Sequence, residues 1–158
     1  MSRRVFLTYQ HRDHGRARGF NLMRYAPNSK LEYSVRHLLS PVNSDNEPYI
    51  SSRVKAQMKG TSVTVVLIGR DTHASDWCAK EIRWSQEKQP ANGLLGIRID
   101  PDAPTPQELL DCGADVLDWN EPSDVQTFEA AIERAALAAG RGEAIAASAS
   151  AAPGACAR

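Results

Sequence analysis

The chain has 158 residues, which is enough for a single domain with one hydrophobic core. Hydrophobic residues make up 42% of it and charged residues 24%, an ordinary composition for a soluble globular protein. The 19 basic and 19 acidic residues cancel, and this argues against nucleic acid as the main partner, because binding a phosphate backbone needs a basic excess. No apolar run is long enough for a membrane span or a secretory signal.

The three cysteines, Cys78, Cys112 and Cys156, lie far apart and show neither metal-ligand spacing nor the pattern of a disulfide framework. We therefore expect a cytoplasmic protein without a bound metal, and we interpret Cys78 as a small core residue rather than a nucleophile.

Strand and helix patterns alternate along the chain. Segments rich in β-branched and aliphatic residues predict strands 1 to 5 at residues 4–9, 30–35, 62–68, 94–99 and 114–117. Apolar residues at helical spacing predict helices at residues 14–25, 49–60, 75–88, 105–110 and 123–139. The polar segment 38–48 is long enough for a lid or binding loop.

This alternation predicts an α/β fold with a doubly wound, five-stranded parallel sheet in the flavodoxin-like order 2-1-3-4-5. We assign residues 1–139 to the domain. Residues 140–158 are almost all Ala, Ser and Gly, and we expect this tail to be disordered because it cannot bury enough surface to offset its ordering entropy.

Ligands of such sheets bind beyond the carboxyl ends of the strands, at the point where the strand order reverses. In the predicted order that point lies between strands 1 and 3, so residues 8–13 and 69–81 should meet there. Residues 8–13 could form an ordinary polar turn. The basic residues that begin there, including Arg12, could meet a pyrophosphate or could form a solvated helix face.

Glu81 is the residue that the stretch 61–87 brings to this crevice. A lone glutamate on a helix is most often a solvated charge. Two features favour a functional role: the amino end of its helix points at the crevice, where anions are stabilised, and Trp77 lies one turn before it. An indole ring and a carboxylate on one surface suit sugar or nucleotide chemistry, because the ring stacks while the carboxylate holds hydroxyls or stabilises an oxocarbenium charge.

Three segments resemble the TIR-like domains typified by ThsB of the bacterial Thoeris anti-phage system. VFLTYQHRD at residues 5–13 is similar to the opening strand and turn of that family, and LEYSV at residues 31–35 resembles its second strand, with Glu32 where an aspartate is usual. TSVTVVLIGRDTHASDWCAKEI at residues 61–82 is the most specific segment, with a glutamate four residues after the tryptophan. LLGIRI at residues 94–99 continues the similarity.

The resemblance implies a TIR fold and chemistry on NAD+ as substrate, with no separate cofactor. It implies that Glu81 is the catalytic glutamate and binds the hydroxyls of the nicotinamide ribose, and that Trp77 shapes the pocket wall. Further substrate-binding residues are expected around them: Phe6, Thr8, Tyr9, His11 and Arg12.

Enzymes of this kind release nicotinamide and form ADP-ribose or a cyclic ADP-ribose isomer. In the Thoeris setting, a cyclic product is expected to activate a separate effector. TIR domains often complete their pocket by assembly, so a homo-oligomer is also expected.

Two alternatives stay open. The chain could be a non-catalytic TIR-like adaptor, in which case changes at residues 43–48 should abolish function while Glu81→Gln leaves it intact. It could also be a nucleoside deoxyribosyltransferase-like enzyme, which shares the fold and a catalytic glutamate.

Overall fold

The structure, a computed structural model, describes residues 4–10, 13, 47–119 and 125–141. Its strands are β1 (Val5–Thr8), β2 (Val63–Ile68), β3 (Gly93–Arg98) and β4 (Asp115–Asp118). Its α-helices are α1 (Glu47–Met58), α2 (Asp76–Glu87), α3 (Gln107–Cys112) and α4 (Val125–Ala138). No helix within these ranges is long and apolar enough to cross a membrane.

The four strands form one parallel sheet in the order β1-β2-β3-β4. They correspond to predicted strands 1, 3, 4 and 5, so the parallel α/β class and the adjacency of strands 1 and 3 are confirmed. The second predicted strand, the helix at residues 14–25 and most of the loop at residues 38–48 lie outside the described residues and stay predictions. Residues 142–158 of the predicted tail lie outside them as well.

Helices cover both faces of the sheet, as near-continuous apolar strands require. On one face α4 buries Phe128 and Ile132 against the central strands. On the other, α2 and α3 bury Ile82 and Leu109, while α1 packs Val54 and Met58 against Phe6 of β1. A Cβ at Gly93 would collide with the backbone of Ala135, so the missing side chain lets α4 approach β3 closely.

A buried polar network ties α2 to the amino end of β3. Asn92 is fully buried, and its Nδ2 donates to Thr61 Oγ1 at 2.9 Å and Thr64 Oγ1 at 3.0 Å. Its Oδ1 accepts from Lys88 Nζ at 2.8 Å, and the Lys88 ammonium also donates to the carbonyls of Thr61 and Pro90. Partners on both termini of its amide therefore offset the cost of burying Asn92.

Several predicted boundaries differ from the structure by one or two residues. Helix α1 begins at Glu47 and so includes the end of the predicted loop, because a proline such as Pro48 is compatible with a first helical turn. Helix α3 runs to Cys112, where Gly113 adopts a left-handed conformation (φ 68°) and ends the helix.

The two cysteines in the described part of the chain differ in state. Cys78 is a buried free thiol, as expected for a core residue. Cys112 takes part in a disulfide bond, so the prediction of no disulfide framework was wrong at this residue.

Candidate active site

The candidate site lies at the carboxyl edge of the sheet, where β1 and β2 end side by side. Thr8, the last residue of β1, is paired in register with Val66 of β2. The loops that follow these two strands therefore leave the sheet next to each other. The predicted meeting of residues 8–13 with residues 69–81 is confirmed for the part that the structure describes.

The turn after β2 aims helix α2 at this edge. The Gly69 N–H donates to Thr72 Oγ1 at 2.9 Å, and the Thr72 hydroxyl donates to the carbonyl of Leu67 at 3.2 Å. A short 3-10 turn, Thr72–Ala74, then leads to Ser75. The Ser75 side chain accepts from the Cys78 N–H at 3.2 Å, so Ser75 is the N-cap of α2. Glu81 follows in the second turn.

Glu81 faces β1 instead of projecting freely into solvent. Its Oε1 accepts a hydrogen bond of 3.1 Å from the hydroxyl of Thr8, a residue 73 positions earlier in the chain. Thr8 itself is only 1% exposed. Because side chains alternate along a strand, Thr8 shares the face of β1 that Phe6 presents to α1 and α2. Packing of α2 on this face brings carboxylate and hydroxyl together.

Burial dominates the electrostatics of Glu81. Loss of solvent raises the pKa of its carboxyl from 4.5 to about 7, while the hydrogen bond from Thr8 acts in the opposite direction by stabilising the charged form. Near neutral pH, comparable amounts of the carboxylate and the carboxylic acid are therefore present. A carboxyl poised in this way at a ligand-binding edge is typical of a functional residue.

Two neighbours of Glu81, Tyr9 and Cys78, also have raised pKa values. Burial, and then the charge of Glu81, raise the pKa of the Tyr9 phenol to about 12. Burial also raises the pKa of the Cys78 thiol to about 11. Tyr9 thus stays a neutral hydroxyl beside the carboxylate, and Cys78 stays a protonated thiol, which excludes a thiolate nucleophile at neutral pH.

Asp13 and Gly69 are features of this edge to which the sequence analysis assigned no role. Asp13 is 6% exposed, and its backbone N–H donates to the carbonyl of Gln10 at 2.8 Å. Its carboxylate occupies the space that a side chain on residue 69 would take. Glycine is therefore needed at position 69 for the turn after β1 to pack against the turn after β2. The sequence indicated this contact only by an aspartate at the end of one polar turn and a glycine at the start of another.

The structure brings three of the predicted site residues together: Thr8, Tyr9 and Glu81. Phe6 lies inside the core at 1% exposure, where it packs against Val54 and Met58. His11 and Arg12 lie outside the described residues, and their predicted roles stay predictions.

Trp77 lies one turn before Glu81 on α2, partly exposed. Its ring meets Trp84 edge-on at 6.1 Å between centroids, and Lys80 Nζ lies 4.8 Å from the ring centroid. These contacts fix the ring on the surface of α2 next to the site. They suit the predicted wall of a pocket, although they are also the contacts of an ordinary surface tryptophan.

In the described part of the chain, no group of three His, Cys, Asp or Glu side chains could hold a metal ion. At the candidate site, Thr8 and Tyr9 can form hydrogen bonds, and Glu81 can stabilise charge or transfer a proton.

Comparison with known proteins places the chain in a family. The family model described as Thoeris protein ThsB, TIR-like domain, matches residues 6–104. Among solved structures, the chain is similar to the TIR domains of the activated Roq1 resistosome directly recognising the pathogen effector XopQ. That similarity has 17% sequence identity and a TM-score of 0.42, over 81% of this chain and 71% of the other. No curated protein matches the chain.

Proposed function

Because the chain belongs to the ThsB family of TIR-like domains from the Thoeris defence system, we propose that it cleaves the N-glycosidic bond of NAD+. Cleavage releases nicotinamide and leaves an ADP-ribose-derived product. One observation carries this proposal: the carboxyl group of Glu81 is held against Thr8 at the edge of the sheet where flavodoxin-like folds bind ligands.

In the proposed reaction, the bond between the anomeric carbon and the pyridinium nitrogen breaks. The bonding electrons go to the nicotinamide ring, which leaves as a neutral molecule, and the ribose takes on oxocarbenium character. The Glu81 carboxylate stabilises this positive charge and accepts hydrogen bonds from the ribose hydroxyls. No strong general acid is needed, because the leaving group carries its own positive charge. A carboxylate in a partly buried site is most effective for this purpose, because little solvent screens it.

The nucleophile that reaches the oxocarbenium carbon decides the product. Water, losing a proton, gives ADP-ribose, and an internal atom of the same molecule gives a cyclic ADP-ribose isomer. We propose the cyclic product, acting as a messenger for a separate effector in anti-phage defence. Thr8 and Tyr9 would serve this chemistry from β1, the first by holding the carboxylate and the second as a neutral hydroxyl at the pocket wall.

The test is to incubate purified protein with NAD+ and to measure nicotinamide by chromatography, with and without extract from phage-infected cells. We expect release by the wild-type protein and loss of release in Glu81→Gln, which keeps the size of the side chain and its acceptor for Thr8. Glu129→Gln on α4 makes the same chemical change on the opposite face of the sheet and should behave like wild type.

Each rival function predicts a different result. An adaptor would release no nicotinamide under either condition, and its protection of cells against phage would survive Glu81→Gln. A deoxyribosyltransferase-like enzyme would exchange nucleoside bases and leave NAD+ intact. Undiminished release by Glu81→Gln would refute the assigned role of the carboxylate.

A further inference from the structure

A cavity opens at the carboxyl edge of the sheet, where β3 and β4 end. It has a volume of about 220 Å³, and it is lined by Arg98, Ile99, Pro101, Asp118 and Trp119. We call it the Trp119 pocket. Pockets for drug-sized ligands have volumes of about 300 Å³ or more. The Trp119 pocket is smaller, so it suits a single ring system such as a nucleobase and is too small for a whole dinucleotide.

The Trp119 pocket opens at the same edge of the sheet as the candidate active site. The register of the sheet aligns Thr8, the hydrogen-bond partner of Glu81, with Val116 of β4. Neighbouring strands lie about 4.8 Å apart, so two to three strand spacings separate the end of β1 from the pocket, a distance of about 10–14 Å. Two ribose rings and a pyrophosphate join the bases of NAD+, and this linker can bridge such a distance.

The indole ring of Trp119 is held firmly beside this pocket. The Trp119 backbone N–H donates to the carbonyl of Arg98 at 2.9 Å. The ring stacks on Phe128, with centroids 4.9 Å apart and an angle of 30° between the planes. Trp119 and Ile99 both pack against the core cluster under α4, and both stay partly exposed. A fixed aromatic ring that borders a cavity is a platform on which a nucleobase can stack.

The polar side of the pocket is an ion pair with a fixed geometry. The Arg98 guanidinium donates to Asp118 Oδ1 at 2.9 Å, to the Thr105 hydroxyl at 2.7 Å and to the carbonyl of Ala103 at 3.2 Å. These bonds orient the Asp118 carboxylate, which is 61% exposed and can accept a further hydrogen bond. Because the arginine offsets its charge, the pair favours an uncharged hydrogen-bond donor, such as the amino group of adenine, over a phosphate.

We propose that the Trp119 pocket binds the adenine ring of NAD+ while Glu81 engages the nicotinamide ribose, an inference that rests on the proposed function. The adenine ring stacks on Trp119, and its amino group donates to Asp118. Arg70 is exposed in the turn after β2, between the two sites in the strand order, and its charge suits the pyrophosphate. The pocket holds the substrate up to cleavage, and the base leaves it before an internal atom of the adenosine half closes a ring.

The test measures binding of nucleotides that lack the scissile bond to the full-length protein, so that it does not depend on catalysis. The chain has three tryptophans, and ¹⁵N NMR therefore gives three indole N–H signals, of which Trp119→Phe identifies one. Asp118→Ala removes the proposed acceptor. The matched control is Asp115→Ala at the other end of β4, because Asp115 is also 61% exposed and also pairs with an arginine, Arg134.

Adenosine monophosphate and ADP-ribose should shift the Trp119 signal, whereas nicotinamide mononucleotide should leave it in place. Asp118→Ala should bind adenosine monophosphate about tenfold more weakly, because it loses a hydrogen bond to a charged group, while Asp115→Ala should bind like the wild type. Guanosine monophosphate has a carbonyl where adenine has its amino group, so it should bind more weakly than adenosine monophosphate. In NAD+ cleavage, Asp118→Ala should raise KM and leave kcat nearly unchanged, because the contact is the same before and during bond breaking.

Three results would overturn the pocket assignment: a Trp119 signal that adenosine monophosphate does not shift at up to about 10 mM, well above millimolar affinity, equal binding by the two aspartate variants, or equal binding of the adenine and guanine nucleotides. The proposed function fails in a different way. A protein that binds adenosine monophosphate at Trp119 but releases no nicotinamide would support the pocket and refute the cleavage. Cleavage of NAD+ with the same KM in both aspartate variants would refute the pocket and leave the cleavage standing.

Discussion

The hydrogen bond between Thr8 and Glu81 can be tested by removing its donor. If Glu81 is a functional carboxylate and not a surface charge, its pKa should depend on the Thr8 hydroxyl. Thr8→Val replaces the hydroxyl with a methyl group of similar shape and removes the donor that stabilises the ionised form of Glu81. The buried position of Thr8, at 1% exposure, leaves little room for water to replace that donor. Carboxylate and valine would then lie in contact without a hydrogen bond.

The magnitude follows from the strength of a hydrogen bond to a charged group, about 1.5–3 kcal/mol. Since a pKa change of one unit corresponds to about 1.4 kcal/mol, the variant should raise the pKa of Glu81 by about 1 to 2 units above its value of about 7. At pH 7 the carboxylate fraction would fall about five- to fifty-fold, and with it the rate of nicotinamide release. Thr8→Ser keeps a hydroxyl, so its pKa for Glu81 and its rate of nicotinamide release should stay close to those of the wild type.

Two measurements test the predicted rise in the pKa of Glu81. A titration of the protein with ¹³C-labelled glutamate, followed by NMR, gives the pKa of Glu81 whether or not the protein is active. The pH–rate profile should show the same displacement towards higher pH in the valine variant. If the titration of Glu81 is the same in Thr8→Val as in Thr8→Ser, the hydroxyl does not stabilise the carboxylate and our reasoning about the site is wrong.

Three further predictions concern stability. First, the raised pKa of Glu81 means that the folded protein keeps a proton that the unfolded chain loses between pH 4.5 and about 7, so this residue lowers stability as pH rises through that window. Glu81→Gln should therefore stabilise the fold at pH 8 by about 1–3 kcal/mol and change it little at pH 4, in contrast to an exposed glutamate, which would show no such difference. Second, Gly69→Ala should cost about 1–3 kcal/mol in urea unfolding, because the new methyl group collides with the Asp13 carboxylate. The cost should shrink in an Asp13→Ala background, and equal costs in both backgrounds would contradict the contact. Third, Asn92→Ala should lower the free energy of unfolding by about 2–4 kcal/mol, because it removes three buried hydrogen bonds, one from Lys88 and one to each of the two threonines; a loss below 1 kcal/mol would show that water replaces the amide.

Much of the fold could be predicted from local patterns. The run at residues 62–68 predicts a strand buried on both faces, and β2 is buried along its whole length. Ser75 followed by a helical pattern predicts the start of α2 correctly, because an N-cap is a local hydrogen bond. The extent of α3 could not be predicted in this way, since its end is fixed by the left-handed backbone of Gly113 and by the packing of Cys112 into the core.

The site was predictable in part. Spacing along α2 predicts that Trp77 and Glu81 share a surface, and the predicted strand order places them near the turn after β1. Neither the donor to Glu81 nor the role of Gly69 could be predicted. The local pattern predicts only that Thr8 lies in a strand and that Gly69 lies in a turn. Both owe their roles to residues more than 50 positions away in the chain.

The sequence by itself determined the alternation of strands and helices, the polar turns at the strand ends and the place of Glu81 on α2. These features depend on neighbours within a few residues, so periodicity and capping reveal them. Only the tertiary structure decided that Glu81 is a poised carboxyl group. Its hydrogen-bond partner lies on β1 and its pKa depends on what α2 buries, because desolvation is a property of packed elements and not of a sequence pattern.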